Sequence, residues 1–150
     1  MQTTTSAQRT YVDTSAMVAL FAREPSATAV LNQLDVAQAD GPLVVSDWVI
    51  TEVASALGIK RRRGELNATE HRAIWQSFSA ECGAWFAVEP VATADFVIAT
   101  EYCLSTTDAL RGGDAMHLAT ANRTRCTAFL SLDDVLNRNA RAQGLRVFSL

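Results

Sequence analysis

Asp13, Glu52, Asp114 and Asp133 are the side chains of this sequence whose types and positions could combine into one reactive site. Asp13 follows Tyr11-Val12 and precedes Thr14, Ser15 and the apolar Met17, Leu20 and Phe21, so it falls where a buried strand hands over to a helix. Asp114 opens the helical run DAMHLATANR after paired glycines, and Asp133 follows the strand-like Thr127-Ala128-Phe129-Leu130. Glu52 lies within the helix DWVITEVASALGIKRRR, about a turn and a half from a cap at Ser46-Asp47. Four carboxylates in one partly buried place repel each other by several kcal/mol at an effective dielectric near about 20, so they call for a counter-charge. A divalent cation supplies it. Oxygen ligands without histidine or cysteine select hard ions, Mg²⁺ or Mn²⁺. An ion of that kind activates water and offsets charge on the oxygens of a phosphodiester during in-line displacement. Spacing alone also admits a plainer reading, with Asp13 and Asp114 as helix N-caps, Asp133 and Asp134 as turn and helix-start residues, and Glu52 as a solvated acid.

Whether the acids meet depends on the elements that carry them. The first strand is expected from about Arg9, and Arg23-Glu24-Pro25 breaks the helix that opens at Thr14. A helix from Ser26 to Ala39 places Val30, Leu31 and Leu34 on one face, and Leu43-Val44-Val45 reads as a short buried strand. The Glu52 helix ends at Gly64. Asn67 caps another that carries Ile74, Trp75 and Phe78 as far as Gly83. Trp85 to Val88 is a strand, Thr93 to Leu104 a helix with Phe96, Val97, Ala99 and Tyr102, and Ser105 to Gly113 a loop. The Asp114 helix faces Ala115, Leu118 and Ala119 inward. A helix from Val135 to Gln143 and a strand from Leu145 to Leu150 close the chain. Strands and helices alternate throughout, which predicts a mostly parallel sheet with helices on both faces. Parallel strands would bring Asp13 and Asp133 to one edge, the C-terminal edge at which open α/β sheets bind ligands. Residues 1–8 read as a flexible polar tail and residues 9–150 as a single domain.

Composition narrows the possibilities. With 150 residues, 49% hydrophobic and 19% charged, the chain can bury a full core unaided by disulfides. Cys82, Cys103 and Cys126 are odd in number and lack a Cys-x-x-Cys pair, so they read as buried thiols. No apolar run approaches the roughly 18 residues of a membrane span, and the N-terminus lacks the apolar core of a signal peptide, which predicts a cytoplasmic protein without membrane contact. A net charge of −3 argues against coating nucleic acid through bulk charge, but a local basic patch remains open. Lys60, Arg61, Arg62 and Arg63 form the one dense basic run. They read either as a solvated helix end or as phosphate contacts, with Arg72 and Arg111 as further candidates. His117, three residues after Asp114, reads as a packed histidine supporting the acids rather than as a ligand. Phosphate-cradling glycine loops, dinucleotide fingerprints and nucleophile triads are absent.

The runs YVDTSAMVAL from Tyr11, TEVASAL from Thr51, RGGDAMHLATA from Arg111 and SLDDVL from Ser131 resemble, in order and spacing, the PIN-domain ribonucleases, and among them the VapC toxins of bacterial toxin–antitoxin pairs. The resemblance runs from about Tyr11 to the C-terminus, and its most specific piece is Asp-Ala-x-His-Leu-Ala at Asp114 to Ala119. It implies a three-layer α/β/α PIN-like fold and a Mg²⁺-dependent endoribonuclease in which Asp13, Glu52, Asp114 and Asp133 are the catalytic acids and hold the ion. Ser15 matches a supporting hydroxyl. Ser131 stands where the family often has threonine, and keeps the hydroxyl. In the doublet Asp133-Asp134, the Asp-x-x-Leu spacing to Leu136 selects Asp133. The resemblance further implies an RNA substrate, a VapB-like antitoxin covering the acidic groove, and a homodimer formed through Ile74, Trp75 and Phe78. The rival readings are a catalytically silent PIN-like module that binds RNA or protein, and a metal-dependent phosphatase on another doubly wound fold.

Overall fold

The structure, a computed structural model, describes residues 8–148 and Leu150. Most of the tail expected at residues 1–8 lies outside the described residues, as does Ser149. Gln8 is already seated against the fold. Its carbonyl oxygen would lie 2.0 Å from a Cβ at Gly41, whose φ of +155° also favours glycine.

Five strands form the sheet: β1 (Thr10–Val12), β2 (Leu43–Ser46), β3 (Ala87–Glu89), β4 (Ala128–Leu130) and β5 (Arg146–Val147). They are ordered β3-β2-β1-β4-β5 and every pairing is parallel. β1 is central because it is apolar enough to be covered on both faces; Tyr11 and Val12 are fully buried. It aligns Tyr11 with Val44 of β2 and with Phe129 of β4. The chain steps outward from β1 through β2 to β3, then crosses back to β4 and β5. The strand order therefore reverses beside β1, which makes the crevice between β1 and β4 the topological switch point.

Right-handed crossovers convert that reversal into two helical layers. The helices α1 (Thr14–Phe21), α2 (Ala27–Asp40), α3 (Asp47–Arg62) and α4 (Ala68–Trp85) link the strands on the β2 side and pack on one another. The helices α5 (Thr93–Ser105), α6 (Gly112–Arg123) and α7 (Asp134–Ala142) serve the return and form the opposite layer. The three-layer α/β/α expectation holds, with a sheet that is parallel throughout the described residues. No helix among those residues is long and apolar enough to cross a membrane.

Several local expectations give way to packing. Leu31 is 48% exposed rather than inward, and on α5 Phe96 and Val97 face solvent while Asp95 is fully buried. Asp95 accepts from Arg123 Nε at 2.6 Å, Arg123 Nη2 at 3.0 Å, Thr120 Oγ1 at 3.1 Å and the Ala92 amide at 2.9 Å, which clamps α5 to α6. Of the stripe expected to join two subunits, Phe78 is taken up by the chain's own core. Phe78 is buried edge-on against Phe21 at 5.3 Å, and half-buried Ile74 and Trp75 pack on the same core.

Candidate functional site

Three strand-to-helix turns at the C-terminal edge of the sheet build the site, and each uses a polar side chain as helix N-cap. Asp13 ends β1 and caps α1, accepting the Ala16 amide at 3.2 Å. Ser46 ends β2 and caps α3, accepting the Val49 amide at 3.4 Å. Asp133 follows β4 and caps α7, accepting the Leu136 amide at 2.9 Å. Capping fixes where each helix starts, and hence where the acids carried by its first turns stand.

The four acids line one open cleft of about 490 Å³, together with Thr14, Ser15, Glu24, Arg111 and His117. Asp13 is the best buried of the four acids, 3% exposed. Its Oδ1 accepts from Ser15 Oγ at 2.7 Å and its Oδ2 from Ser131 Oγ at 2.8 Å. Ser15 and Ser131 also receive the Leu132 and Asp133 amides, at 2.8 and 3.0 Å, so the two hydroxyls join the β1–α1 and β4–α7 turns across the switch point. Burial lifts the Asp13 carboxyl above its ordinary range; the nearby His117 and the hydrogen bonds from Ser15, Ser131 and Ala16 oppose this without cancelling it.

Glu52 reaches the cleft from the second turn of α3, where its Oε2 accepts from Thr14 Oγ1 and from His117 Nε2, the latter at 2.6 Å. Its burial raises its pKa. The hydrogen bonds from His117 and Thr14, with Arg111 nearby, outweigh that burial and hold the carboxyl below its usual value. Asp114 does not cap α6. The paired glycines form the helix's first residues with Arg111 as N-cap, so Asp114 sits in the first turn and accepts Arg111 Nε at 3.1 Å. Asp133 lines the cleft, whereas its neighbour Asp134 is exposed as the first residue of α7.

The basic candidates divide. Arg111 joins the cleft on a side chain that is 79% exposed. Lys60 is held by Glu24 at 2.7 Å and Glu65 at 3.2 Å, while Arg61, Arg62, Arg63 and Arg72 are exposed outside the cleft's lining. Sequence reasoning did not anticipate Glu24 as a fifth carboxylate of the cleft, nor the hydrogen bonds of Thr14 to Glu52 and of Tyr11 to Ser46 and His117. Glu24 follows a helix break, and no periodicity could have aimed it inward.

Among the described residues no three His, Cys, Asp or Glu side chains are gathered tightly enough to hold an ion as they stand. The donor chemistry nevertheless fits a hard cation: the lining offers carboxylate and hydroxyl oxygens, and it contains a carboxylate, Asp13, whose charged form is disfavoured by burial.

This cleft lies at the switch point of a parallel sheet, the place at which open α/β proteins generally bind ligands. The chain belongs to the PIN domain family, whose sequence profile matches residues 10–142. The structure is similar to VapBC2 from Rickettsia felis bound to a DNA fragment from their promoter, with a TM-score of 0.70 and 10% identity over 95% of this chain and 99% of that one. It is similar also to VapC20 from Mycobacterium tuberculosis, a sarcin–ricin loop cleaving toxin, with a TM-score of 0.66 and 20% identity over 91% and 95% of the two chains. A toxin–antitoxin complex from Klebsiella pneumoniae gives a TM-score of 0.58 and 17% identity over 93% and 96%. No curated protein matches the sequence.

Proposed function

We propose that this PIN-domain protein is a divalent-cation-dependent endoribonuclease and the toxin of a toxin–antitoxin pair, acting in the cytoplasm. The observation that carries the reading is the convergence of Asp13, Glu52, Asp114 and Asp133 on one cleft at the sheet's switch point. These four would hold Mg²⁺, with Mn²⁺ as a substitute. Bound there, the ion would supply an activated water and positive charge for the phosphodiester oxygens.

The chain's own residues prepare that chemistry. Ser15 and Ser131 hold both oxygens of Asp13, so this carboxylate need not reorganise when charge arrives. Arg111 stands at the mouth beside Asp114 with its guanidinium exposed, suited to a phosphate of the RNA backbone. The basic end of α3, Lys60 to Arg63, would add phosphate contacts outside the cleft's lining. A VapB-like antitoxin segment covering the acidic cleft, and a homodimer, belong to this reading. It is supported by family membership and by neighbours whose names include toxins and toxin–antitoxin complexes.

Purified protein incubated with a mixed RNA pool should cut it in Mg²⁺ or Mn²⁺ and leave it intact in chelator, and Asp13→Asn should abolish cleavage while keeping the fold. RNA binding without cleavage or metal dependence would mark a silent PIN-like module. Hydrolysis of phosphomonoesters in place of RNA would mark a phosphatase.

A further inference from the structure

Behind Glu52 runs a buried chain of hydrogen bonds that the proposed reaction does not itself require. His117 Nε2 meets Glu52 Oε2 at 2.6 Å, His117 Nδ1 meets Tyr11 Oη at 3.0 Å, and Tyr11 Oη meets Ser46 Oγ at 2.7 Å. Ser46 Oγ accepts the Val49 amide. Ser46 and Tyr11 are fully buried and His117 is 2% exposed, so water cannot supply missing partners and each hydrogen must find its acceptor inside the chain.

That condition gives the chain a direction. Glu52 Oε2 already accepts Thr14 Oγ1 and, as a carboxylate oxygen, only accepts, so Nε2 carries a hydrogen. At the far end the Val49 amide only donates, so Ser46 Oγ accepts there and its own hydrogen points to Tyr11 Oη. The phenol hydrogen then points to Nδ1. The opposite direction would leave the Ser46 hydrogen with no acceptor among the described residues. Tyr11 is fixed in this duty. It is fully buried, and its ring stacks on Phe129 with centroids 5.4 Å apart.

We infer that His117 is a positioning residue for Glu52, with its tautomer set by Tyr11 and Ser46. The chain saturates Oε2, which takes both Thr14 and His117, and leaves Oε1 as the oxygen presented to the cleft. Among the described residues no hydrogen bond reaches Oε1. Gly113 flanks it without crowding it, since even a Cβ built there would stand 3.5 Å away. A glutamate has three side-chain torsions, and the buried imidazole removes the freedom that a solvated one would keep. As regards the cation, this inference rests on the proposed nuclease reading; as regards the tautomer, it stands on the hydrogen bonds alone.

The test separates the two. The chain has two histidines, His71 and His117, so full-length protein labelled with ¹⁵N-histidine gives two ring systems, which His71→Gln assigns. The inference expects His117 to carry its hydrogen on Nε2, with Nδ1 an acceptor whose resonance moves in Tyr11→Phe. A hydrogen on Nδ1, or a spectrum indifferent to Tyr11→Phe, overturns it. Calorimetric titration with Mn²⁺ alone should then show His117→Leu binding about 10- to 100-fold more weakly than wild type, as is usual when a residue behind a metal ligand is lost. Tyr11→Phe should weaken binding several-fold (on the order of 3- to 10-fold), and His117→Gln, which keeps a donor to Glu52, should recover most of the loss. On RNA these variants should lower kcat with KM nearly unchanged. Equal Mn²⁺ affinity in all four proteins overturns the positioning role. Wild type that binds no Mn²⁺ yet shows the expected tautomer and its response to Tyr11→Phe sinks the nuclease reading and upholds the hydrogen-bond chain. Tyr11→Phe is nearly isosteric, so a failure of His117→Leu to fold leaves the decision with the wild-type spectrum and this variant.

Discussion

Replacing Asp13 by asparagine should make the cation-free protein more stable and the cation-loaded protein less so. Asparagine is as good an N-cap as aspartate, so the start of α1 survives. Its carbonyl can take the Ala16 amide and the Ser15 hydroxyl, and its NH₂ can donate to Ser131 Oγ, whose hydrogen then has Ser15 Oγ as acceptor 3.3 Å away. No partner is orphaned, and what is lost is one buried negative charge. Burial already raises the Asp13 carboxyl above its ordinary 3.8, which means that the folded state prefers it uncharged. The sign follows from linkage. Stability from the protonated form is fully present below 3.8 and is lost as pH rises through the elevated folded value, so at pH 7.5 ionised Asp13 destabilises the fold. Removing that charge should stabilise by on the order of 1 kcal/mol, or about 2–4 °C in Tm for a domain of this size. A divalent ion at about 100 times its Kd adds about 2.7 kcal/mol to the wild type alone. Melting curves at pH 7.5 should therefore cross, with Asp13→Asn higher in chelator and wild type higher in Mn²⁺. A variant that melts below wild type in chelator would refute the electrostatic argument, and a wild-type Tm indifferent to Mn²⁺ would refute the cation site.

Arg123→Met should strand the fully buried Asp95 carboxylate and destabilise by about 3 kcal/mol, the low end for a broken buried pair because Arg123 is 28% exposed; chemical denaturation reads this directly. Because this pairing holds Asp95 below its ordinary value despite burial, its stabilisation is present above the unfolded pKa and lost as pH falls through the folded one, so variant and wild type should converge in strong acid. Arg111→Ala should leave Tm nearly unchanged, since the pair with Asp114 is solvent-exposed on the arginine side, while Mn²⁺ binds more tightly and the salt dependence of RNA binding loses about one unit of slope. Gly41→Ala must fit a Cβ 2.0 Å from the Gln8 carbonyl oxygen at a φ of +155°, and should cost about 2 kcal/mol in urea unfolding; a neutral result would show that residue 8 is not held against this turn.

The parts of the fold legible in the sequence are those governed by local chemistry. The strand-to-helix turns at Asp13, Ser46 and Asp133 announce themselves because a cap residue follows an apolar run, and the structure places each cap within a residue of its expected position. Boundaries set by packing were not legible. Gly83 does not stop α4, which continues to Trp85, because a glycine on an exposed face costs a helix only about 1 kcal/mol. Gly112 and Gly113 likewise belong to α6, since helix-terminal glycines need no partner of their own. The last strand shrinks from the expected Leu145–Leu150 to Arg146–Val147. On α5 the pattern inverts: Asp95 is buried and Phe96 exposed, because Arg123 arrives from α6 to satisfy the acid, and no window of local sequence contains that arginine.

The same division runs through the site. Asp13 and Asp133 are found by any argument that recognises a parallel sheet, because topology alone brings strand ends to one edge. Glu52 and His117, 65 positions apart, are joined only where side chains of α3 and α6, from opposite layers, meet over that edge, and their hydrogen bond turns a pair of helix residues into one unit. A histidine at three residues from Asp114 could have been packing alone; its buried partners on both ring nitrogens show that it is oriented, and a packing role needs no orientation. The acids at the switch point therefore differ in kind. Asp13 is held by hydroxyls from its own and the neighbouring turn, whereas Glu52 is held through three buried side chains from β1, β2 and α6. A substitution at Ser46, remote from the cleft's lining, should consequently reach Glu52 before it reaches Asp13, since Asp13 shares none of that chain.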